Sequence, residues 1–133
     1  MKQRVLFLCV HNSARSQMAE GFLRSMAGDR YDVASAGLSA GSVRPEAMAA
    51  MSEMGIDISR HRSKAADEYA GQAFDVVVTT CDEAREACPL FPGARTMLHW
   101  SIPDPDTAEG PARLDAFRSA RDQLRTRIEK ELL

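Results

Sequence analysis

The stretch from Arg4 to Ser16, RVLFLCVHNSARS, joins two different sequence patterns. Residues 4–10 form a nearly unbroken apolar run, too short for a helix and typical of a strand buried on both faces. Polar residues 11–15 interrupt the run, and apolar side chains at helical spacing begin directly after them. The stretch therefore predicts a strand, a loop and a helix, and we expect Ser16 to cap that helix at its N-terminus.

The same alternation of strand and helix continues along the rest of the chain. Glycines and prolines mark the breaks between these segments, and residues 56–73 have a mixed pattern compatible with a short helix. Prolines and a glycine make residues 100–112 a predicted loop. The predicted strands are 4–10, 31–36, 74–79 and 95–99, and the predicted helices are 16–27, 45–54 and 112–132.

Alternating strands and helices predict an α/β fold with three layers, α-β-α, and a parallel sheet. The common small arrangement has four strands in the order 2-1-3-4, so that strands 1 and 3 are neighbours. Ligands bind at the carboxyl ends of such strands, where the strand order reverses. The loops that carry Cys9, Cys81 with Cys88, and Asp104 should therefore open onto one crevice of a single domain over residues 1–133.

Composition excludes several classes of protein. The chain has 133 residues, 44% of them hydrophobic and 27% charged, and a net charge of −2. This near-neutral balance gives no general electrostatic reason to bind nucleic acid or an anionic membrane. The apolar run in residues 5–10 is too short for a signal peptide or a membrane span. We expect a cytoplasmic monomer whose three cysteines are thiols.

The loop after the first strand has the pattern C-x5-R-S, from Cys9 to Ser16. Backbone N–H groups at a helix N-terminus bind tetrahedral oxyanions, and the Arg15 guanidinium can pair with two of the anion's oxygens. The same positive field favours the thiolate form of Cys9. In the alternative interpretation, Cys9 is a small buried hydrophobic residue and Arg15 a surface charge. The candidate oxyanion-binding residues are His11, Asn12, Ser13, Ala14, Arg15 and Ser16.

Residues 5–20, together with Ser35-Ala-Gly37 and Asp104-Pro105, resemble the low-molecular-weight protein tyrosine phosphatase superfamily, and more narrowly the arsenate reductases built on that fold. The similarity covers nearly the whole chain. It implies a low-molecular-weight phosphotyrosine phosphatase-like fold. It also implies that Cys9 is the nucleophile, Arg15 binds the oxyanion and Asp104 is the general acid, with Asp106 as a competing candidate for the acid.

The segment 76–89, which contains Cys81 and Cys88, resembles the redox segment of the thioredoxin-coupled arsenate reductases. The resemblance implies that Cys9 attacks arsenic, that Cys81 then attacks Cys9 and that Cys88 attacks Cys81. Thioredoxin is the implied reductant, with glutaredoxin or a low-molecular-weight thiol as alternatives, and no bound cofactor is expected. Three other interpretations stay open: a phosphatase, a thiol redox sensor or oxyanion-binding module, and two structural thiols.

Residues 82–87 are rich in helix formers. If residues 81–88 are helical, the Cα atoms of Cys81 and Cys88 lie roughly 10.5 Å apart along the helix axis. A disulfide requires about 4.4–6.8 Å. Oxidation should therefore rearrange residues 81–92.

Some members of the family that the chain resembles bind potassium beside the anion loop. Asn12, Glu20 and Ser35 resemble three of the potassium ligands, but the fourth, an acidic residue, is replaced near Ser63-Lys64. Because a lysine would itself supply the positive charge, we expect no functional potassium site and no other metal site. The Cys81–Cys88 spacing also lies outside the usual C-x2–4-C spacing of structural zinc.

Overall fold

The structure of the chain is a computed structural model that describes residues 2–69, 71–86 and 94–133. Strands and helices alternate along it, as the apolar pattern predicts. Short 3-10 turns occupy Ala66–Tyr69 and Pro105–Thr107. The strands are β1 Gln3–Cys9, β2 Tyr31–Gly37, β3 Val76–Thr79 and β4 Thr96–His99, and the helices are α1 Arg15–Ala27, α2 Pro45–Ser52, α3 Asp82–Glu86 and α4 Ala112–Glu131.

The four strands form one parallel sheet in the order β2-β1-β3-β4, which confirms the predicted topology. Cys9 at the end of β1 is in register with Gly37 at the end of β2, and Leu8 is in register with Thr79 at the end of β3. The strands therefore end at one edge of the sheet. The loops that follow β1 and β3 both begin at this edge.

Each face of the sheet packs against its own hydrophobic cluster. Val5 and Phe7 of β1 face one cluster, which includes buried side chains of α1, α2 and α4. Leu6 and Leu8 face the other cluster, which includes Phe74 and residues of the first 3-10 turn and α3. The alternation along β1 explains why its sequence is apolar throughout, since both faces of the strand are buried.

The start of α1 differs from the sequence prediction. The helix begins at Arg15, its N-cap position is Ala14, and no side chain caps it. The prediction that Ser16 is the N-cap is therefore wrong. Ser16 is fully buried inside the first turn, where its hydroxyl bonds to side chains of the preceding loop.

Across residues 2–69, 71–86 and 94–133, no helix combines the length and apolar character that crossing a membrane requires.

Candidate active site

A pocket of about 220 Å³ opens at the edge of the sheet where β1 ends. The loop between β1 and α1 forms its floor, α3 contributes one wall, and the second 3-10 turn contributes the other. The free N–H groups at the start of α1 make this end of the helix electropositive. The pocket is lined by Cys9, Val10, His11, Ser13, Ala14, Arg15, Glu83, Asp104 and Asp106.

The Cys9 sulfur lies on the pocket floor and has two hydrogen-bond partners. The backbone N–H of Asn12 lies 3.2 Å from Sγ, and the Ser16 hydroxyl lies 2.8 Å from it. The Asn12 amide donates to Ser16 Oγ at 2.7 Å, which leaves the serine hydrogen available to donate to the sulfur. A backbone N–H and a hydroxyl are both groups that can donate to a sulfur nucleophile, so the loop can hold the Cys9 sulfur in place for attack.

Asn12 organises the loop behind Cys9. Its φ angle is +52°, in the left-handed region that asparagine tolerates better than most residues. Its side-chain oxygen accepts hydrogen bonds from the Gln17 amide and from the backbone N–H of Lys64, and its amide donates to Ser35 as well as to Ser16. Fully buried Asn12 and Ser16 thus contact each other rather than line the pocket.

Gly37 permits the close approach of this loop to β2. A Cβ at position 37 would lie 2.6 Å from the Asn12 nitrogen and 2.7 Å from the Val10 carbonyl oxygen. Both neighbours are backbone atoms, so neither can move aside without shifting the loop. Gly37 therefore belongs to the site through its backbone, whereas Ser35 belongs to it through the hydroxyl that contacts Asn12.

Arg15 projects from the start of α1 towards the loop after β4. Its Nη1 donates to the Ile102 carbonyl at 2.9 Å, and its Nη2 lies 3.7 Å from Asp104 Oδ2. The Arg15 side chain is only 7% exposed, whereas that of Asp104 is 43% exposed. The pocket thus places a fixed cation near its floor and a solvent-accessible carboxyl group at its rim.

Asp104 and Asp106 lie on the same short turn, but their carboxyl groups have different partners. Asp104 Oδ1 accepts the backbone N–H of Asp106 at 2.9 Å. The Asp106 carboxylate accepts hydrogen bonds from both Arg44 and Arg113. Burial acts to raise the pKa of Asp106, but these bonds and the two positive charges hold it below its ordinary value. Asp106 is therefore an ionised acceptor, which makes Asp104 the better candidate for a proton donor.

Cys81 follows β3 and is almost completely buried, at 1% exposure. It belongs to the same hydrophobic cluster as Cys9. Burial raises the pKa of the Cys81 thiol, although a hydrogen bond from the Ala84 N–H and the charge of Arg15 partly oppose this. Cys81 is thus held as a protonated thiol beside the pocket, while Cys88 lies outside the described residues.

The three residues that resemble potassium ligands form a buried hydrogen-bonded chain. Asn12 donates to Ser35, and Ser35 donates to Glu20 at 2.5 Å. Lys64 is 8% exposed, and its ammonium donates to the Arg62 carbonyl. Burial lowers the pKa of Lys64, and the Glu20 carboxylate partly opposes this. Lys64 does lie beside this cluster. The absence of a functional potassium site stays a prediction.

Three residues at the site were not expected from the sequence. Glu83 reaches the pocket because α3 begins directly after Cys81. Arg44 from the start of α2 and Arg113 from α4 both contact the turn that carries Asp104 and Asp106, which we call the acid turn. The contact between Arg44 and Asp106 spans 62 positions along the chain. No local pattern signals such a pair, since each residue alone resembles a solvated surface charge.

The family model described as "Low molecular weight phosphotyrosine protein phosphatase" matches residues 4–132. The chain belongs to this family. An arsenate reductase from Halalkalibacterium halodurans is 44% identical over 129 residues, which cover 96% of this chain and 93% of the relative. Within the family, the chain thus has a curated relative that is named for reduction rather than for phosphate hydrolysis.

Two solved structures extend the comparison. An arsenate reductase in its oxidised state has a TM-score of 0.85 and 34% sequence identity, and the match covers 96% of this chain and 95% of that one. A thioredoxin-dependent arsenate reductase from Corynebacterium glutamicum has a TM-score of 0.72 and 30% identity, covering 97% of this chain and 61% of that one. The parallel sheet and the loop that holds Cys9 therefore occur in a phosphatase-family fold shared with arsenate reductases.

Proposed function

We propose that this protein reduces arsenate to arsenite through thiol chemistry at Cys9. The observation that supports this most strongly is the second buried thiol, Cys81, which shares a hydrophobic cluster with Cys9. A phosphatase needs only one cysteine, because water can hydrolyse its phosphocysteine. A reductase must supply two electrons, and a pair of thiols supplies them by forming a disulfide.

In the first step, the Cys9 thiolate attacks arsenic(V) and forms a sulfur–arsenic bond. Backbone N–H groups of residues 11–16 and the Arg15 guanidinium hold the arsenate oxygens. One arsenic–oxygen bond breaks, and Asp104 gives its proton to the departing oxygen, which leaves as water. Arsenic remains in its +5 state at this stage.

In the second step, Cys81 attacks the sulfur of Cys9. A Cys9–Cys81 disulfide forms as the sulfur–arsenic bond breaks, and the electron pair of that bond passes to arsenic. Arsenic leaves as arsenite in its +3 state, and the two thiols have been oxidised by two electrons. The raised pKa of Cys81 means that this thiol must lose its proton before it attacks.

In the last step, Cys88 attacks Cys81, which frees Cys9 and leaves a Cys81–Cys88 disulfide. An external dithiol then reduces that disulfide. We propose thioredoxin as this reductant, since one structural relative is named as thioredoxin-dependent. Glutaredoxin or a low-molecular-weight thiol is the alternative. The relay works in one subunit and in a reducing compartment, so we propose a cytoplasmic monomer.

The shape of the pocket supports a small inorganic substrate. At about 220 Å³ it is smaller than the roughly 300–1,000 Å³ of pockets that enclose larger ligands. Among the residues that the structure describes, its lining includes no Phe, Tyr or Trp that could stack on a phosphotyrosine ring.

The test is arsenate-dependent NADPH oxidation with thioredoxin and thioredoxin reductase, run beside a glutathione–glutaredoxin control. We expect turnover with thioredoxin that disappears in Cys9→Ser, Cys81→Ser and Cys88→Ser. Turnover only in the glutathione–glutaredoxin assay would support arsenate reduction but would identify a reductant other than thioredoxin. Absence of arsenate turnover with both systems would overturn the proposal.

A phosphatase acting on small phosphoesters or phosphotyrosine is the second candidate, because the family model carries that description. The Cys88→Ser variant separates the two. For a reductase, this variant loses arsenate turnover while any hydrolysis of an aryl phosphate by Cys9, Arg15 and Asp104 continues. A redox sensor or anion-binding module would instead show disulfide formation or anion binding without turnover.

A further inference from the structure

We propose that Arg44 is a positioning residue for the general acid. Through Asp106, it fixes the orientation of the Asp104 carboxyl group relative to the loop of residues 9–16, which we call the anion-binding loop. This inference rests on the proposed function, in which Asp104 protonates the oxygen that leaves arsenic. It adds a residue outside the pocket lining to the machinery. The contacts that carry it form a closed path around the pocket.

The path begins at the anion-binding loop. Arg44 stands at the N-cap position of α2, and its backbone N–H donates to the Ser13 carbonyl at 2.9 Å. Ser13 is 7% exposed and lines the pocket. The backbone of Arg44 is therefore fixed to the loop that holds the oxyanion.

The Arg44 side chain crosses to the acid turn. Its Nε lies 3.1 and 3.2 Å from the two carboxylate oxygens of Asp106, and its Nη2 lies 3.1 Å from Oδ2. This is a fork-to-fork pairing, which restricts orientation more strongly than a single charge contact does. Both side chains are partly buried, with exposures of 37% for Arg44 and 26% for Asp106.

Asp106 in turn sets the orientation of Asp104. The Asp106 N–H donates to Asp104 Oδ1 at 2.9 Å, so this oxygen is occupied by the turn. The other oxygen, Oδ2, is the one that lies near Arg15, at 3.7 Å from Nη2. Holding Oδ1 therefore directs Oδ2 towards the place where the substrate's leaving oxygen would be.

Arg113 holds the same turn from the other side. It donates to the Asp106 carboxylate and to the backbone carbonyls of Asp106 and Ala108, and it also pairs with Glu46. Arg113 thus stabilises the shape of the turn. Arg44 is different because it connects the turn to the anion-binding loop, and that connection sets the distance between acid and substrate.

The experiment measures a single turnover in the Cys88→Ser background, where the reaction stops at the Cys9–Cys81 disulfide. Arsenite released and thiols lost are followed after mixing with arsenate. Arg44→Gln removes the fork without changing the backbone bond to Ser13, Arg44→Lys keeps the charge, and Arg118→Gln removes an arginine of α4 that pairs with Glu53 and Asp115. Inorganic phosphate, measured by calorimetry, reports binding to the loop separately.

We expect Arg44→Gln to slow arsenite release by about tenfold, because small displacements of a catalytic group have large effects on rate. Phosphate binding should change by less than about twofold, Arg44→Lys should recover part of the rate, and Arg118→Gln should match the background. An unchanged rate in Arg44→Gln overturns the inference. A parallel loss of phosphate binding also overturns it, since Arg44 would then hold the loop rather than the acid.

The controls keep this result separate from the proposed function. If the Cys88→Ser background releases no arsenite at all, the proposed function fails and the role of Arg44 falls with it. If the background releases arsenite, the comparison of arsenite release between the variants decides whether Arg44 positions the acid. Thermal unfolding of each variant identifies a rate loss that comes from unfolding. Asp106→Asn weakens the same pairing from its other end. It should therefore reproduce the slow rate of a folded Arg44→Gln.

Discussion

At the residue scale, we expect the reactivity of Cys9 to depend on the hydroxyl group of Ser16. Ser16 Oγ accepts a hydrogen bond from the Asn12 amide and lies 2.8 Å from the sulfur, so its hydrogen is available to donate to Cys9. A hydrogen bond to a charged group contributes about 1.5–3 kcal/mol, and about 1.4 kcal/mol is a factor of ten in an equilibrium. The loss of such a donor to the attacking sulfur is therefore large enough to change the reactivity of Cys9 measurably.

We predict that Ser16→Ala slows alkylation of Cys9 by iodoacetamide at pH 7 by about tenfold, because the attacking sulfur loses its hydrogen-bond contact with the Ser16 hydroxyl. The measurement uses the Cys81→Ser/Cys88→Ser protein, in which Cys9 is the remaining thiol. Ser39→Ala is the matched control, since that hydroxyl bonds to His11. Equal alkylation rates in the Ser16 and Ser39 variants would contradict the role of Ser16.

At the element scale, α3 is the helix whose position matters most for the relay. It begins at Asp82, directly after Cys81, and Asp82 pairs with His99 of β4 at 2.9 Å. A helix that continued from Cys81 to Cys88 would place the two Cα atoms farther apart than a disulfide allows. Such a helix and the disulfide would exclude each other, so we expect the proposed relay to unfold α3 locally.

We predict that the amide hydrogens of residues 82–86 exchange faster in the oxidised protein than in the reduced protein. We expect formation of a Cys81–Cys88 disulfide to be incompatible with a helix over the segment and therefore to break the helical hydrogen bonds of α3. Hydrogen exchange with mass spectrometry measures this directly, and Cys88→Ser treated with the same oxidant is the control. Closely similar protection of 82–86 in both states would show that the helix survives oxidation.

The contact between helices α2 and α4 is the second feature at the element scale. Glu53, at the end of α2, accepts hydrogen bonds from Arg118 and Arg121 of α4. The Arg118 and Arg121 bonds lower the pKa of Glu53 from an ordinary 4.5 to about 2. A carboxyl whose pKa is lowered on folding stabilises the folded state above its unfolded pKa, and this contribution is lost as the pH falls through the folded value.

We therefore predict that Glu53→Gln lowers the melting temperature at pH 6, and that the difference from the unmodified protein is smaller at pH 3. The window follows from the two pKa values, since the stabilising contribution disappears between about pH 4.5 and about pH 2. Glu109→Gln, at an exposed position in the loop before α4, is the control. A difference of the same size at both pH values would mean that Glu53 acts through packing and not through its charge.

At the scale of the whole molecule, α4 joins the separate parts of the larger core. Phe117, Leu124 and Ile128 are each fully buried in the cluster that contains α1, α2 and one face of the sheet. Trp100 lies in the same cluster, with its ring 5.9 Å from that of Phe7. The residues that precede the acid turn are thus fixed by the core.

We predict that Leu124→Ala lowers the free energy of unfolding by about 2–5 kcal/mol, because it removes buried methyl groups and leaves a cavity. Urea unfolding followed by circular dichroism measures the change. Gln123→Ala is the neighbouring control on the exposed side of α4, and it should stay within about 0.5 kcal/mol. A loss below about 1 kcal/mol in Leu124→Ala would mean that α4 contributes little to the core.

Much of this protein follows from the sequence alone. The apolar run at 4–10 and the alternation of strands with helices determine a parallel sheet, because an apolar strand with no polar face must be covered on both sides. The order 2-1-3-4 follows from the usual topology of such folds. The C-x5-R-S pattern identifies the loop because the candidate anion-binding groups are consecutive in the chain.

Other features were decided only by the tertiary structure. The sequence placed Ser16 at a helix cap, whereas the fold buries it and turns its hydroxyl to Cys9. The pairing of Arg44 with Asp106, and the buried neighbourhood of Asn12, Ser35 and Lys64, join residues from separate elements. Such contacts cannot be predicted from the local sequence, because a side chain's hydrogen-bond partner depends on which elements the packed core brings together.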